Sequence, residues 1–273
     1  MKKQSRMDIF LEIPLWAFSG LTVYPLAMVI LTSFKTYGEA NFLSVSLPKQ
    51  FIFDNYVQVF IDGKIPRSFF NSVIITVFSV ILVTLLSAML AYILMRNRSR
   101  VNRIIYKFIT FGIIAPFAAL PTVQLLKIMH IYGSYVSLIF VYAALFMPFS
   151  AMLFSGFILS VPKELDEAGV IDGCAGMSLF MRIIFPLLRP ATMTVGVLNF
   201  MWVWNDFQYP IYLLNTSAKW TLPLSVYNFF GQYNRSWNLV CADMVMVSLP
   251  VVLIYLFAQR YIIDGMTAGA VKG

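Results

Sequence analysis

Long apolar runs separated by short charged segments dominate the pattern of this chain. Uncharged runs, one of which contains His130, occupy Ile13–Phe34, Ser68–Met95, Phe108–Leu126 and Ile128–Val161. A helix needs about 20 apolar residues to cross a hydrocarbon layer about 30 Å thick. The first three runs each predict one membrane-spanning helix. The fourth run predicts a short turn around Gly133 followed by a helix that begins near Tyr135.

Two further spans follow in the last third of the chain. A fifth begins near Pro190 and continues to the Trp202–Tyr209 region, and a sixth runs from Leu239 to Phe257 with Asp243 in its first turn. The composition agrees, because 60% of the residues are hydrophobic and only 12% are charged. Soluble domains have about 45–50% apolar and about 25% charged residues. The sequence therefore predicts an all-α polytopic membrane protein with six transmembrane helices.

The positions of lysine and arginine predict the orientation. The densest basic cluster lies between the second and third spans, from Arg96 to Lys107. Because cytoplasmic segments are enriched in these residues, we expect this cluster and both termini to be cytoplasmic. The first apolar run is too long for a signal peptide. The expected organisation is a cytoplasmic N-terminus at 1–12, a first helix with an outer loop at 13–67, a five-helix core at 68–263 and a cytoplasmic tail at 264–273.

The cytoplasmic loop at 161–190 has an unusually ordered pattern. Pro162 suits the first turn of a helix, and Glu164 and Glu167 complement the positive end of that helix. Gly173 lies where such a helix would end, because glycine adopts a left-handed cap at little cost. Apolar residues at helical spacing resume from Met177. The pattern predicts a helix–turn–helix at the membrane surface.

This loop resembles the EAA loop of ATP-binding-cassette (ABC) importer permeases. The matching residues are Glu167-Ala168-Gly169, Asp172-Gly173-Cys174, Phe180, Ile183-Ile184-Phe185-Pro186 and Pro190. Gly169 and Cys174 replace alanines of the family pattern, and Phe185 replaces a leucine. The resemblance implies a coupling helix that docks in a groove of the ATPase subunit. It identifies as ATPase-coupling residues Glu164, Glu167, Ala168, Gly169, Asp172 and Gly173.

The C-terminal segment indicates which branch of these permeases the chain resembles. Gln259-Arg260-Tyr261 and the stretch from Gly265 to Gly273 are similar to the end of the carbohydrate-uptake, maltose-type permeases. Trp204-Asn205-Asp206-Phe207 is also similar to that branch. The resemblance implies the type I ABC importer permease fold. It also implies that the tail contacts the ATPase subunits through Gly265, Thr267, Gly269 and Lys272.

The resemblance implies a permease subunit for a sugar or oligosaccharide in a bacterial plasma membrane. The implied partners are a second permease in a heterodimer, two ATPase subunits and an extracellular or periplasmic solute-binding protein. ATP and magnesium would be bound by the ATPases, and this chain would carry no cofactor. A polyol, glycerol phosphate or another small solute remains an alternative cargo.

Four residues near the end of the fifth span are candidates for a substrate path: Trp202, Trp204, Asn205 and Asp206. Aromatic faces together with amide and carboxylate groups suit a sugar, and acidic groups inside a membrane are functional candidates by default. The alternative is that the tryptophans belong to an interfacial aromatic belt and that Asn205 and Asp206 cap or join helices. The residues alone leave both interpretations open.

Motifs for other functions are missing from the sequence. It contains no G-x-x-x-x-G-K-[ST] motif for nucleotide binding, and its single histidine cannot build a zinc site or a catalytic triad. The basic residues lie at the ends of apolar runs, which does not indicate nucleic-acid binding. We therefore expect no enzymatic activity, catalytic residue or metal site. An ion-driven secondary transporter and a membrane-embedded enzyme remain the rival classes, although the sequence offers few ionisable groups for either.

Overall fold

The computed structural model describes residues 6–97, 99–230 and 236–270. Its α-helices are α1 Arg6–Ser33, α2 Tyr37–Ala40, α3 Asp54–Asp62, α4 Ile65–Arg96, α5 Arg100–Phe111, α6 Ala119–Ile128, α7 Tyr135–Ile158, α8 Glu164–Ile171, α9 Met177–Leu179, α10 Phe185–Leu187, α11 Arg189–Asn205, α12 Gln208–Leu213 and α13 Trp237–Ala270. A π-helical turn, Phe180–Ile184, joins α9 to α10, and short 3₁₀ turns occupy Ser217–Lys219 and Pro223–Phe229. The described residues form no β-sheet, so the predicted all-α class is confirmed.

Within the described residues, three helices are long and apolar enough to cross a membrane by themselves: α4, α7 and the Trp237–Leu256 part of α13. A fourth span results if the bent pair Met177–Leu187 and Arg189–Asn205, whose axes differ by 82°, counts as one. Shorter apolar helices lie at Phe18–Ser33 and Ala119–Ile128. The chain is thus a multi-pass membrane protein, but these helices do not confirm the count of six.

The prediction of one continuous helix over Phe108–Leu126 was wrong. α5 ends at Phe111, and a non-helical stretch separates it from α6, which begins at Ala119. Pro116 lies in this stretch and has no N–H to donate to a helix. A side chain at Gly112 would place its Cβ 3.1 Å from the ring of Pro148 in the middle of α7. The break therefore lies where the chain passes close to α7.

Other boundaries follow local signals. α7 begins at Tyr135 as predicted, and the hydroxyl of Ser134 caps it by accepting from the Ser137 N–H. α13 begins before Asp243, which therefore lies beyond its first turn, contrary to the sequence interpretation. The Asp243 carboxylate is fully buried and accepts a hydrogen bond from Ser225 Oγ at 3.0 Å. The Asp243 carboxylate therefore accepts from a serine side chain, away from the first turn of α13.

The chain divides into two compact units. One comprises Met1–Ser68 with Leu222–Pro250, and the other comprises Phe69–Thr221 with Val251–Gly273. In the first unit, Asn55 of α3 donates to the carbonyls of Ser33 and Lys35 at 2.8 and 2.9 Å, and accepts from Asn238 of α13 at 2.9 Å. This buried amide network joins three segments that are distant in sequence.

Two clusters of buried apolar side chains lie among the described residues of the second unit. One joins α4, α7 and α11 to the segment between α8 and α11, with Phe180, Ile184 and Leu188 at its centre. The other surrounds Tyr142 and Leu138 of α7 and includes Leu213 of α12. The loop segment after α8 is therefore part of the packed interior of its unit.

Candidate functional site

α8 is a short helix with one exposed face. Glu164, Glu167, Ala168 and Ile171 recur at helical spacing and are all exposed, and Asp172 follows them. Ile171 is 86% exposed and Val170 is 58% exposed. Acidic residues in the first turn complement the positive end of the helix dipole. This face therefore combines carboxylates with an exposed apolar tip.

The opposite face of α8 packs closely on the segment that follows it. Gly169 is buried, and a Cβ at this position would lie 2.5 Å from the Cδ1 atoms of both Leu179 and Ile183. An alanine would therefore require both side chains to shift. Glycine, which stands here in place of the second alanine of the EAA pattern, allows this close packing.

The turn after α8 is a Schellman motif. The Gly173 N–H donates to the Val170 carbonyl at 3.0 Å, and the Cys174 N–H donates to the Gly169 carbonyl at 2.8 Å. Gly173 has a φ of 82° and Gly176 a φ of 54°, in the left-handed region that favours glycine. The predicted helix–turn–helix is confirmed, and two glycines determine its bend.

The second half of the loop is anchored in the core. Phe180 and Ile184 are buried and lie in the π-helical turn that joins α9 to α10. Pro186 cannot donate a backbone hydrogen bond, which removes one bond from the regular α-helical pattern at this point. The axis then turns by 82° into α11. Buried side chains therefore connect the segment after α8 to α11.

Arg96, the last residue of α4, ties the loop to a second helix. Its two terminal nitrogens donate to the Val161 carbonyl, both at 3.1 Å. Its Nε lies 2.6 Å from Oδ2 of Asp166 in α8, an ion pair without hydrogen-bond geometry. Burial raises the pKa of the Asp166 carboxyl, and the Arg96 guanidinium acts in the opposite direction. Sequence reasoning missed Arg96, because only the fold brings it to α8.

The tail residues can be placed only in part. Gly265, Thr267 and Gly269 lie on the backbone of α13, whose side chains are not described at this end. Lys272 lies outside the described residues. Their assignment to ATPase contact stays a prediction.

A cavity of about 760 Å³ lies in the second unit, between the α5–α6 break, α7 and the end of α11. Ile113, Ala115 and Phe117 line it from the break. Phe146 and Phe149 line it from α7, and these two residues lie one helical turn apart. A helical face of aromatic residues in α7 is the signal that could have identified this wall from sequence.

Three of the four substrate-path candidates line this cavity, and the fourth does not. Trp202, Asn205 and Asp206 line it. Trp204 is only 3% exposed and packs in a stacked arrangement against Phe200, with ring centroids 5.4 Å apart. It forms part of the packing on another face of α11, and its assignment to the substrate path stays a prediction.

Asp206 has a structural role in addition to its place on the cavity wall. Its carboxylate accepts from the N–H groups of Gln208 and Tyr209 at 3.0 and 3.2 Å, which caps the first turn of α12. It also accepts from the hydroxyl of Tyr142 in α7 at 2.7 Å. The helix-capping interpretation of Asp206 is therefore correct, and Tyr142, which the sequence did not indicate, holds the carboxylate in place.

These features define a multi-pass membrane protein with an aromatic cavity and a short helix, α8, that has an exposed acidic face and is packed against the core of its unit. Residues 81–267 match the family model described as "Binding-protein-dependent transport system inner membrane component". The chain belongs to this family. No set of three histidine, cysteine, aspartate or glutamate side chains converges on a metal position within the described ranges.

Curated relatives cover almost the whole chain. It is 37% identical over 256 residues to the "Probable starch degradation products transport system permease protein AmyC" of Thermoanaerobacterium thermosulfurigenes, covering 93% of each chain. It is 36% identical to the "Multiple sugar-binding transport system permease protein MsmG" of Streptococcus mutans, covering 100% of each. It is 33% identical to the "Melibiose/raffinose/stachyose import permease protein MelC" of Bacillus subtilis, covering 91% of each. The resemblance to carbohydrate-uptake permeases is confirmed.

Solved structures agree on the fold. A chain from a bacterial ABC transporter involved in the import of the acidic polysaccharide alginate superposes with a TM-score of 0.80 at 23% identity, covering 96% of this chain and 99% of that chain. A chain from the alginate transporter in complex with its pentasaccharide-bound periplasmic protein gives 0.66 at 14% identity, covering 94% and 96%. At these identities the likeness concerns the fold alone, which is that of a type I importer permease.

Proposed function

We propose that this chain is a permease subunit of an ABC importer for a sugar or oligosaccharide. The observation that carries the proposal is α8, a rigid short helix with an exposed acidic and apolar face, buried on its other side against a segment that leads into α11. The relatives that match the whole chain have printed names that specify sugar transport. The geometry of α8 and the names of the relatives both indicate a translocation subunit whose energy is supplied by another polypeptide.

The proposed assembly contains this chain, a second permease, two ATPase subunits and an extracellular solute-binding protein. The ATPases bind ATP and magnesium, and this chain contributes no nucleotide site. One solved relative of the same fold was crystallised in complex with a periplasmic protein, which supports the place of a binding protein in the assembly.

We propose six spans with both termini in the cytoplasm. Besides α4, α7 and α13, they comprise the apolar part of α1, the broken pair α5 and α6, and the bent segment that ends in α11. The basic cluster at Arg96–Lys107 then lies on the cytoplasmic side, as positive residues do in short loops. This arrangement places α8 on the same side, where ATPase subunits would reach it.

Glu164, Glu167, Ala168 and Asp172 form the proposed docking face, while Gly169 and Gly173 hold its shape. Closure of the ATPase pair displaces α8, and the buried side chains after it carry the displacement to α11. Because α11 ends at the cavity residues Trp202 and Asn205, its motion changes access to the cavity. The tail residues Gly265, Thr267, Gly269 and Lys272 provide a second proposed contact with the ATPases.

The test is gentle detergent extraction of the tagged chain from its native membrane, with mass-spectrometric measurement of copurifying subunits. We expect two copies of a P-loop ATPase and one copy of a different permease per chain. Cys174 lies next to α8 and is partly exposed, so a thiol crosslinker placed there should capture the ATPase. Recovery of the chain without an ATPase, even after crosslinking, would contradict the proposal. Uptake that follows an ion gradient instead of ATP would then favour a secondary transporter.

A further inference from the structure

The cavity of the second unit has a consistent chemical character. Aromatic rings form much of its wall, and Asp206 is the one acidic residue among the described residues that line it. No lysine, arginine or histidine from the described part of the chain lines it. A volume of about 760 Å³ lies within the range of small-molecule sites, which extends from about 300 to about 1,000 Å³. The size and lining therefore suit a short, uncharged, partly apolar ligand.

The Trp202 ring packs against two phenylalanine rings on this wall of the cavity. Its ring centroid lies 5.3 Å from that of Phe146 and 5.2 Å from that of Phe149, and the two phenyl rings restrict its rotamer. The side chain is nevertheless 36% exposed, so part of the indole remains accessible. A fixed, accessible aromatic face provides a large contact area with little loss of conformational entropy. The apolar C–H face of a pyranose ring fits such a surface.

The polar side chains beside Trp202, Asn205 and Asp206, include oxygen acceptors. The Asn205 amide nitrogen donates one of its two hydrogens to the Met201 carbonyl at 2.8 Å, and its side-chain oxygen can accept a hydrogen bond. The Asp206 carboxylate is already held by Tyr142 and by two backbone N–H groups. Sugar hydroxyls can donate to such oxygens. A sugar carboxylate has no proton to donate at neutral pH and would meet no positive charge here, so its desolvation would be uncompensated.

We propose that this cavity is a subsite for one or two uncharged pyranose units, stacked on Trp202, and that it discriminates against uronic acid sugars. This inference rests on the proposed function and adds the chemical class of the cargo at this subunit. The alginate transporter shares the fold but imports an acidic polysaccharide. We therefore expect this chain and the alginate transporter to differ in the charge of the residues that line the cavity.

The experiment measures sugar binding to the purified assembled complex without its solute-binding protein, by saturation-transfer NMR. The probes are maltotriose and trigalacturonic acid at equal concentration. We expect transfer to maltotriose and none to the uronate. Trp202→Ala should weaken the maltotriose dissociation constant about fivefold or more, and Trp202→Phe should restore most of the affinity. The matched control is Phe140→Ala on α7, an exposed aromatic that does not line the cavity.

A second variant tests the charge argument by gain of function. Asn205→Lys places an ammonium group at the cavity wall, and we expect it to produce measurable trigalacturonate binding. Equal binding of both probes to the unmodified complex would overturn the proposal, as would maltotriose binding that is insensitive to Trp202→Ala. If neither maltotriose nor trigalacturonate binds to the unmodified complex, the proposal is overturned as well.

The proposed function is tested by a different measurement, which is copurification of the ATPase subunits. If the complex assembles with ATPases and imports sugar while Trp202→Ala has no effect on binding, only the subsite is wrong. If no ATPase copurifies, the importer assignment itself is wrong, whatever the NMR result.

Discussion

Two glycines in one loop are required for different physical reasons. Gly169 is needed for space, because Leu179 and Ile183 occupy the volume that its side chain would fill. Gly173 has open space around its Cβ position but a φ of 82°. Replacing the first would displace flexible side-chain ends, whereas replacing the second would strain the backbone. The second change is therefore the sharper test of the loop.

Gly173→Val should uncouple ATP hydrolysis from transport. A β-branched residue at this φ costs of order 1–3 kcal/mol, which the short α8 would relieve by losing its Schellman cap. We expect sugar uptake per ATP hydrolysed to fall at least about fivefold, while the spans stay folded. The measurement is uptake and ATPase activity in proteoliposomes. Gly156→Ala, at an open helical position of α7, is the control, and normal uptake by the valine variant would refute the coupling role.

At the scale of elements, α8 is held from two directions. Its own C-terminal turn connects it to the core segment that leads into α11, and Arg96 connects it to the end of α4. The Arg96 guanidinium combines two hydrogen bonds to one backbone carbonyl with an ion pair to Asp166. A planar group with several donors can make these contacts together, and a lysine cannot.

Arg96→Gln should loosen the loop more than Asp166→Asn. The arginine change removes the ion pair and the charged donors to Val161, with a cost of about 1–3 kcal/mol, whereas the aspartate change removes the ion pair alone. We expect faster proteolysis within residues 161–176 and lower uptake per ATP for Arg96→Gln. Arg103→Gln, a change at an exposed position of α5, serves as the reference. Equal effects of the Arg96 and Arg103 changes would show that the tie is unimportant.

The non-helical stretch between α5 and α6 is a second feature at the scale of elements. Irregular backbone within a membrane is tolerated where it is buried in protein or lines a water-filled cavity. Three residues of this stretch, Ile113, Ala115 and Phe117, line the cavity. The break is thus where the chain leaves α5 and forms part of the cavity wall.

At the scale of the whole molecule, buried amides hold distant segments together within the first unit. Asn55 is 5% exposed and links the end of α1 to α13, although Asn55 and Asn238 are 183 positions apart in the sequence. Apolar contacts alone specify position weakly in a membrane, because lipid is as apolar as the side chains. Directed hydrogen bonds therefore contribute much of the register between these segments.

Asn55→Ala should lower the thermal stability of the protein in detergent. The change leaves the carbonyls of Ser33 and Lys35 and the amide of Asn238 without this partner, at about 1–3 kcal/mol for each buried group that finds no replacement. We expect an apparent Tm lower by several degrees in a thiol-reactivity or fluorescence melt. Asn41→Ala, at the exposed end of α2, should melt like the unmodified protein. Identical Tm values for the two variants would refute the role of the network.

Much of the architecture followed from local sequence. Apolar run length predicted α4, α7 and α13, because a helix in lipid must satisfy its own backbone hydrogen bonds over a fixed thickness. Pro162 and Gly173 predicted the beginning and end of the loop helix through backbone geometry that needs no tertiary contact. The resemblance of this loop to the EAA pattern then identified the family.

Tertiary structure decided which side chains meet. Trp202 and Trp204 are two residues apart, so a helix of 3.6 residues per turn directs them to nearly opposite sides, and the sequence does not say which side faces a cavity. Trp204 is buried and packs against Phe69 of α4 and Phe200 of its own helix, whereas Trp202 lies on the cavity wall. Arg96 reaches Asp166, and Tyr142 reaches Asp206, across gaps of 70 and 64 positions. Such pairings depend on how the helices pack, which no local pattern of residues encodes.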